Sequence, residues 1–252
     1  MSGHSKWATT KHRKAAQDKK RSALFSKLSR NITVAAKEGG DPNPENNASL
    51  SAAIEKAKGY SLPKDKIKVA IDKAFGSGKD AANYETVIYE GYGPAGVAIY
   101  CEALTDNRNR TAADVRAAFS HSGGNLGTSG SVAFQFERKG QILVDKHLCE
   151  DEDEFMLAVA DAGGDDYEDA DEEWIVYTGA TDLMAVKKAL EEAGIETKGA
   201  ELIMEPTTPA EVSVSDAKKV MRLVDKLEEL EDLQTVYHAM DITDEIAAAL
   251  DE

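Results

Sequence analysis

The fold is decided by residues 86–122, TVIYEGYGPAGVAIYCEALTDNRNRTAADVRAAFSHS. Two apolar runs, TVIYE and GVAIYCEAL, flank a glycine-rich turn at 91–96, so this pattern predicts a β-hairpin. A helix is expected to begin near Thr111, whose hydroxyl can cap it, with Val115 and Phe119 on its inner face. The result is a β-β-α unit that lacks the second α-β half of a four-stranded α/β domain.

A complete α/β unit follows before the missing half is supplied. The loop GGNLGTSG leads into SVAFQF, where Val132, Phe134 and Phe136 alternate, and we expect them on one face of a strand. Strands at QILV, EEWIVYT and ELIMEP then alternate with two helices, and the tail adds a helix at about 215–230 and a strand at TVYHAMDI. The sequence therefore predicts an α+β protein in which one ferredoxin-like α/β domain is inserted into another.

Three amphipathic helices are predicted upstream of this region. An apolar stripe from Leu24 to Ile32 marks the first, Asn46 and Asn47 are candidate caps of the second, and Pro63 opens the third. Together they indicate a small helical module before the strands begin.

We therefore expect three domains. The first is a basic N-terminal three-helix domain at 1–79, joined through the glycine-containing hinge GSGKD to the rest of the chain. The second is a discontinuous α/β domain at 80–131 plus 207–252, and the third is the inserted acidic α/β domain at 132–206.

Charge is strongly segregated along the chain. Residues 1–79 contain 17 Lys or Arg against 7 Asp or Glu, whereas the whole chain has a net charge of −16. Such segregation favours a polyanionic partner for the basic part. The densest basic stretch contains one acid, Asp18, and the basic residues Lys6, Lys11, Arg13, Lys14, Lys19, Lys20, Arg21, Lys27 and Arg30.

Two clusters are candidate nucleic-acid contacts. The basic stretch carries phosphate donors interspersed with Trp7 and His12, whose rings can stack on exposed bases; the alternative is a solvated tail. In TDNRNRT at 105–111, Arg108 and Arg110 are expected to meet a phosphate or a carboxylate beside a helix N-terminus. The alternative for this second cluster is a structural loop whose Asp and Asn side chains bond their own backbone.

No catalytic, metal or cofactor site is predicted. The five histidines have no zinc-type spacing, and GSGKD lacks the Ser or Thr and the first glycine of a phosphate-binding loop. An enzyme acting on RNA is the remaining catalytic alternative. We expect no cofactor, no metal and no small-molecule substrate.

A cytoplasmic location is expected, with no membrane partner. No apolar run approaches the length of a membrane span, and the N-terminus lacks the apolar region of a secretory signal. A transit peptide is an alternative for the basic N-terminus, but such peptides are rich in Ser and Arg, whereas this one is Lys-rich.

The successive motifs of the chain resemble those of the YebC/PmpR family, which is related to the mitochondrial translational activator of cytochrome c oxidase. The motifs are GHSKWATTKHRKAAQDKKR, VAAKEGGDP, LPKDKI, YEGYGPAGVAIY, LTDNRNRTAADVRAAF and GGNLGTSGSVAF. The resemblance implies three domains and a cytoplasmic, non-enzymatic regulator of gene expression with no catalytic residue. It implies a DNA-binding transcriptional regulator or, alternatively, a ribosome-associated factor that contacts ribosomal RNA and assists translation of proline-rich stretches.

Overall fold

The computed structural model describes residues 19–76, 84–170 and 172–251, with backbone only for 19–22 and 251. The predicted hinge GSGKD, apart from Gly76, lies outside these residues. The helices are α1 Lys19–Gly39, α2 Ala48–Gly59, α3 Lys64–Phe75, α4 Arg108–His121, α5 Glu152–Ala162, α6 Leu183–Glu192, α7 Val214–Glu228 and α8 Asp244–Asp251. The strands are β1 Glu85–Tyr92, β2 Ala98–Thr105, β3 Asn125–Leu126, β4 Phe136–Asp145, β5 Asp166–Ala170, β6 Glu173–Gly179, β7 Thr197–Pro206 and β8 Leu233–His238.

The strands form two four-stranded sheets. Sheet A has the order β3-β1-β2-β8 and sheet B the order β5-β6-β4-β7. The predicted hairpin is present as the antiparallel pair β1 and β2, in which Glu90 lies opposite Tyr100. Strand β8 of the tail pairs antiparallel with β2, so the tail completes sheet A after the intervening unit. The predicted α+β class is confirmed.

The two sheets differ in connectivity. Sheet B follows the ferredoxin-like sequence β-α-β-β-α-β, and its first strand, β4, lies between the third and fourth strands of that unit. Sheet A also combines four strands with two helices, but its two central strands are joined directly by the hairpin, which gives β-β-α-β-α-β. Each sheet thus has four strands and two helices, but the strands and helices follow one another along the chain in a different order in the two cases.

The chain divides into two compact units. The first unit contains the described residues within 28–81 and 138–204, and the second contains those within 2–27, 82–137 and 205–252. Helices α2 and α3 thus belong to the same unit as sheet B. The division into three domains stays a prediction.

The core of the first unit is built on aromatic packing beneath α5 and α6. The rings of Phe155 and Trp174 stack with centroids 5.0 Å apart, and the Trp174 indole donates to the carbonyl oxygen of Cys149 at 2.9 Å. Lys56 of α2 pairs with Glu201 of β7 at 2.7 Å. The Trp174 ring is therefore buried against another aromatic ring, while its indole N–H has the hydrogen-bond acceptor that a buried polar group requires.

The second unit packs α4 and α7 on one face of sheet A. Ile99 and Cys101 of β2 are fully buried against Phe119 of α4 and Leu223 of α7. Burial raises the pKa of the Cys101 thiol far above its ordinary value. The thiol is therefore a packing group, because a buried neutral thiol is unreactive.

The segment SVAFQF does not form the predicted strand. Val132 and Phe136 are buried, but Phe134 is 73 % exposed in a 3-10 turn at Ala133–Gln135, and β4 begins only at Phe136. The physical reason is that the backbone N–H groups of Val132 and Ala133 donate to the Glu90 carboxylate, so a side chain replaces a neighbouring strand as their acceptor.

Helix α4 begins three residues earlier than predicted. The Asn107 side chain, not the Thr111 hydroxyl, is its N-cap, because Asn107 Oδ1 accepts from the backbone N–H of Arg110 at 3.1 Å. The Thr111 hydroxyl instead donates to Asp232 Oδ2 at 2.7 Å.

Candidate nucleic-acid interface

The N-terminal basic candidates fall at and before the start of α1. Lys19, Lys20 and Arg21 occupy its first turn, which contains no acidic residue. The three cations are consecutive in the sequence, so they concentrate positive charge at one point of the chain. The candidates that lie outside the described residues are Lys6, Trp7, Lys11, His12, Arg13 and Lys14.

Further along α1, Lys27 and Arg30 are both half-buried. The Lys27 ammonium donates to the carbonyl oxygen of Glu228 at 2.6 Å, at the C-terminal end of α7. A cation at this position satisfies an unpaired carbonyl and complements the negative end of the helix dipole. Arg30 also has contacts within the chain. The positive charge of Lys27 thus has a structural use.

Arg110, from the second cluster, is held by carboxylates. Its Nη2 donates to Asp232 Oδ2 at 2.7 Å and to Asp106 Oδ1 at 2.9 Å. These hydrogen bonds raise the pKa of the guanidinium above its ordinary value. Of the two anions considered for Arg110, the structure therefore supplies a carboxylate.

Asp232 connects the loop before β8 to the start of α4. Burial disfavours its charged form, but hydrogen bonds from Arg110 and from the hydroxyls of Thr111 and Thr105 outweigh that cost and keep the pKa of the carboxyl below its ordinary value. The Thr111 and Thr105 hydroxyls lie 2.7 and 3.2 Å from Oδ2. Asp232 Oδ2 thus accepts from one guanidinium and two hydroxyls, and this network holds the two segments together.

Arg108 presents a different picture from Arg110. Its side chain is 64 % exposed, and the nearest carboxylate contact is a loose one, 3.6 Å from Nε to Glu85 Oε1. The Arg108 carbonyl oxygen accepts from the Tyr89 hydroxyl at 3.3 Å, which anchors the backbone and leaves the guanidinium at the surface. Arg108 is therefore the better placed of the two arginines to contact a phosphate.

A buried carboxylate organises the loop between α4 and β4, and sequence reasoning missed it. Glu90 is 4 % exposed, and its oxygens accept from the backbone N–H groups of Gly130 at 2.7 Å, Val132 at 2.8 Å and Ala133 at 2.7 Å. Burial opposes ionisation, but these three bonds bring the pKa of Glu90 below its ordinary value. The only sequence signal was an acid within an otherwise apolar strand.

Neither a metal-ligand cluster nor a membrane-spanning helix occurs among the described residues. Among them, no group of three His, Cys, Asp or Glu side chains is placed to hold a metal ion. Within the same residues, none of the helices combines the length and apolar character needed to cross a membrane.

The chain is similar throughout to proteins of one family. A family model described as "TACO1/YebC protein N-terminal domain" matches residues 5–77, and one described as "TACO1/YebC second and third domain" matches 84–240. A probable transcriptional regulatory protein of Rubrobacter xylanophilus is 51 % identical over 98 % of both chains. The probable transcriptional regulatory protein YebC of Shigella boydii is 50 % identical, covering 99 % of this chain and 100 % of its own.

A solved structure shares the fold. The crystal structure of a conserved hypothetical protein, Aq1575, from Aquifex aeolicus matches with a TM-score of 0.84 and 41 % identity. The match covers 94 % of this chain and 97 % of that one.

Proposed function

We propose, because the chain belongs to the TACO1/YebC family, that it is a non-enzymatic, cytoplasmic regulator of gene expression that binds nucleic acid through its basic N-terminal part. Relatives of the chain are named probable transcriptional regulatory proteins. The leading form of the proposal is therefore a DNA-binding regulator of transcription. The single observation that carries it is the segregation of charge described above.

The charge distribution supports a phosphate-binding role for the N-terminal part. Residues 1–79 have a surplus of 10 positive charges, in a chain whose net charge is −16. Within the first unit, Lys64, Lys68 and Lys73 of α3 are exposed and contribute to this surplus. Neutralisation by phosphates releases condensed counterions, which drives such binding and makes it dependent on salt.

The described arginines and lysines contribute unequally to this proposal. Arg108 is exposed with one loose carboxylate contact, so it is the member of its cluster assigned to phosphate. Lys27 and Arg110 carry structural contacts within the second unit, and any phosphate contact by them competes with those bonds. The main phosphate contacts are therefore assigned to the residues from Lys6 to Arg21.

A ribosome-associated translation factor is the second candidate. The sequence carries no helix-turn-helix, zinc-finger or basic-zipper signature with which to enter a DNA groove. An irregular RNA surface suits a Lys-rich segment that makes sequence-independent phosphate contacts. In this form the partner is ribosomal RNA, and the regulated step is translation.

The salt dependence of binding tests the phosphate contacts. Replacing Lys11, Arg13, Lys14, Lys19, Lys20 and Arg21 with glutamine removes six cations from the full-length protein. We expect the slope of log K against log salt to fall in magnitude by about 5 for duplex DNA and by about 4 for single-stranded nucleic acid. An unchanged slope would mean that these six residues do not contact phosphates of the nucleic acid.

Sedimentation of cell lysate through a sucrose gradient separates the two candidates. Co-migration with ribosomes that is lost in the six-residue variant supports translation as the regulated process. A protein confined to the top fractions that also retains promoter DNA supports transcription. Nuclease treatment of the lysate is the control for contact through free nucleic acid.

A further inference from the structure

The segment between α4 and β4, residues 122–135, includes the short strand β3 and, in the part called here the loop, holds one aromatic ring in a fixed and exposed position. On one side of Phe134, the Ala133 N–H donates to Glu90 Oε2 at 2.7 Å. On the other side, the Gln135 carbonyl oxygen accepts from the Thr207 N–H at 2.9 Å. The backbone is thus bonded immediately before and after a ring that is 73 % exposed.

Additional contacts make this loop rigid. The Tyr92 hydroxyl donates to the Ser131 carbonyl oxygen at 3.0 Å and lies 3.2 Å from the Gln135 side-chain nitrogen. Val132 and Phe136, on either side of the turn, are buried in the second unit. An exposed ring on a pre-ordered backbone loses little conformational entropy when a ligand binds it, which favours recognition.

The surroundings of the ring indicate the chemistry of its ligand. Among the described residues of the second unit, Phe134 is the one large apolar side chain that is exposed. Within residues 122–135, the other exposed residues are glycines and the small polar residues Asn125, Thr128 and Ser129, and the charged residues Glu137 and Arg138 follow in β4. A protein-binding hot spot is normally embedded in a wider packed patch, whereas a single ring with a polar rim suits a flat aromatic ligand with polar edges.

We propose that Phe134 is a stacking platform for an unpaired nucleobase, with the Asn, Thr and Ser side chains of the loop facing the edge of the base. This proposal rests on the proposed function and adds a second, uncharged contact to it. An unpaired base is required because a base within a duplex is already stacked on its neighbours. The platform therefore favours single-stranded RNA or looped regions over continuous duplex.

The loop makes a contribution that differs physically from that of the basic part. Residues 122–135 contain no charged side chain, so a base stacked on Phe134 releases no counterions. Loss of the ring therefore lowers affinity without changing the salt slope. An unchanged salt slope therefore distinguishes the loss of base stacking on Phe134 from the loss of a phosphate contact.

The test uses the full-length protein with two fluorescent probes, a single-stranded uridine dodecamer and a blunt RNA duplex of equal length. We expect Phe134→Ala to weaken binding of the single strand about 5- to 100-fold. The salt slope for the single strand and the affinity for the duplex stay unchanged. Phe134→Tyr keeps the affinity, whereas Phe134→Leu, which is apolar but not aromatic, loses it as alanine does.

A crosslinking experiment locates the contact. A dodecamer that carries 5-iodouridine is irradiated with the protein, and crosslinked peptides are mapped. We expect the peptide containing Phe134 to be labelled in the wild type and unlabelled in Phe134→Ala. Leu157→Ala, which truncates an exposed apolar side chain in the first unit, is the matched control and leaves both measurements unchanged.

The outcomes distinguish this inference from the proposed function. If the wild type binds the probes but Phe134→Ala leaves the single-strand affinity unchanged, the platform is wrong and the basic interface stands. Equal loss for strand and duplex, or full affinity in Phe134→Leu, also overturns stacking. Loss of ribosome co-sedimentation with unchanged affinity for RNA assigns Phe134 to a protein partner instead. If the wild type binds neither probe at low salt, nor promoter DNA, the proposed function itself fails.

Discussion

The guanidinium of Arg110 lies 2.7 Å from the carboxylate of Asp232, across 122 positions of sequence. This contact joins the start of α4 to the loop before β8, two segments separated in the chain by all of sheet B. Arg110 was a candidate phosphate ligand from sequence, and the structure gives it a carboxylate partner within the second unit.

Removal of the Asp232 carboxylate is expected to destabilise the second unit. Asp232→Ala leaves the buried Thr105 hydroxyl without its acceptor and Arg110 without its buried carboxylate, which lowers the free energy of unfolding by about 2–3 kcal/mol. Urea unfolding followed by circular dichroism measures the change. Asp106→Ala, which removes an exposed carboxylate from the same arginine, serves as the control and changes stability little. Equal effects from both substitutions would contradict the role of Asp232 as the centre of the network.

Substitution of Arg110 is expected to lower the stability of the protein, whereas substitution of Arg108 is expected to weaken its binding of nucleic acid. Arg110→Gln lowers the urea midpoint because Asp232 loses its ion pair. Arg108→Gln leaves the midpoint unchanged, because the Arg108 side chain is exposed and its contact with Glu85 is long at 3.6 Å, and it reduces the salt slope of nucleic-acid binding by about 1. Matched urea and salt titrations of the two variants make the comparison. A reduced salt slope for Arg110→Gln at unchanged stability would reverse the assignment.

Glu90 is expected to make stability depend on pH on the acidic side. Its folded-state pKa lies below the ordinary value of about 4.3, so its contribution is fully present above about pH 5 and is lost as pH falls through the lowered folded-state pKa. Glu90→Gln has no such ionisation, and its amide group also brings donors towards three backbone donors, which costs about 1–3 kcal/mol at neutral pH. The stability difference between the two proteins should therefore narrow on acidification.

Hydrogen exchange adds a local measurement for Glu90. The backbone N–H groups of Gly130, Val132 and Ala133 should exchange faster in Glu90→Gln than in the wild type, since their acceptor is weakened. A stability difference that is independent of pH, with unchanged exchange of these three groups, would be inconsistent with ionised Glu90 as the anchor of the loop.

Asn47 is expected to be the important cap in the helical region. Its Oδ1 accepts from the Leu50 N–H at 3.0 Å, while its Nδ2 donates to the Ala35 carbonyl oxygen of α1 at 3.0 Å. Asn47→Ala should lower the free energy of unfolding by about 1–2 kcal/mol. Asn46→Ala is the matched control, because Asn46 is exposed and bonds only locally to Asp41. Thermal unfolding compares them, and indistinguishable midpoints would contradict the cap.

The parts of the fold that sequence predicts well are those set by local periodicity. The stripe from Leu24 to Ile32 and the apolar runs of β1 and β2 repeat within one helix or strand, so their elements follow from neighbouring residues. That the tail completes the interrupted α/β domain was also predicted, because the β-β-α unit was incomplete without it; the structure adds that its strand β8 pairs with β2.

The details that sequence missed depend on contacts between distant residues. The turn at Phe134 forms because Glu90, 42 positions from Val132, takes the place of a strand partner. Alternation of apolar residues alone cannot show that exchange, since it reports only spacing. The same applies to Arg110, whose neighbours in sequence suggested an anion without indicating that Asp232 supplies it.

The position of β8 at one side of sheet A has a consequence during synthesis of the protein. Until Leu233–His238 leaves the ribosome, β2 is an open edge strand, and Phe119 lacks the cover of Leu223 and Leu227 from α7. A chain that stops after β7 retains that open edge and is prone to aggregate. Completion of sheet A thus depends on a strand that is made after all of sheet B, and products terminated before it are exposed to proteolytic removal.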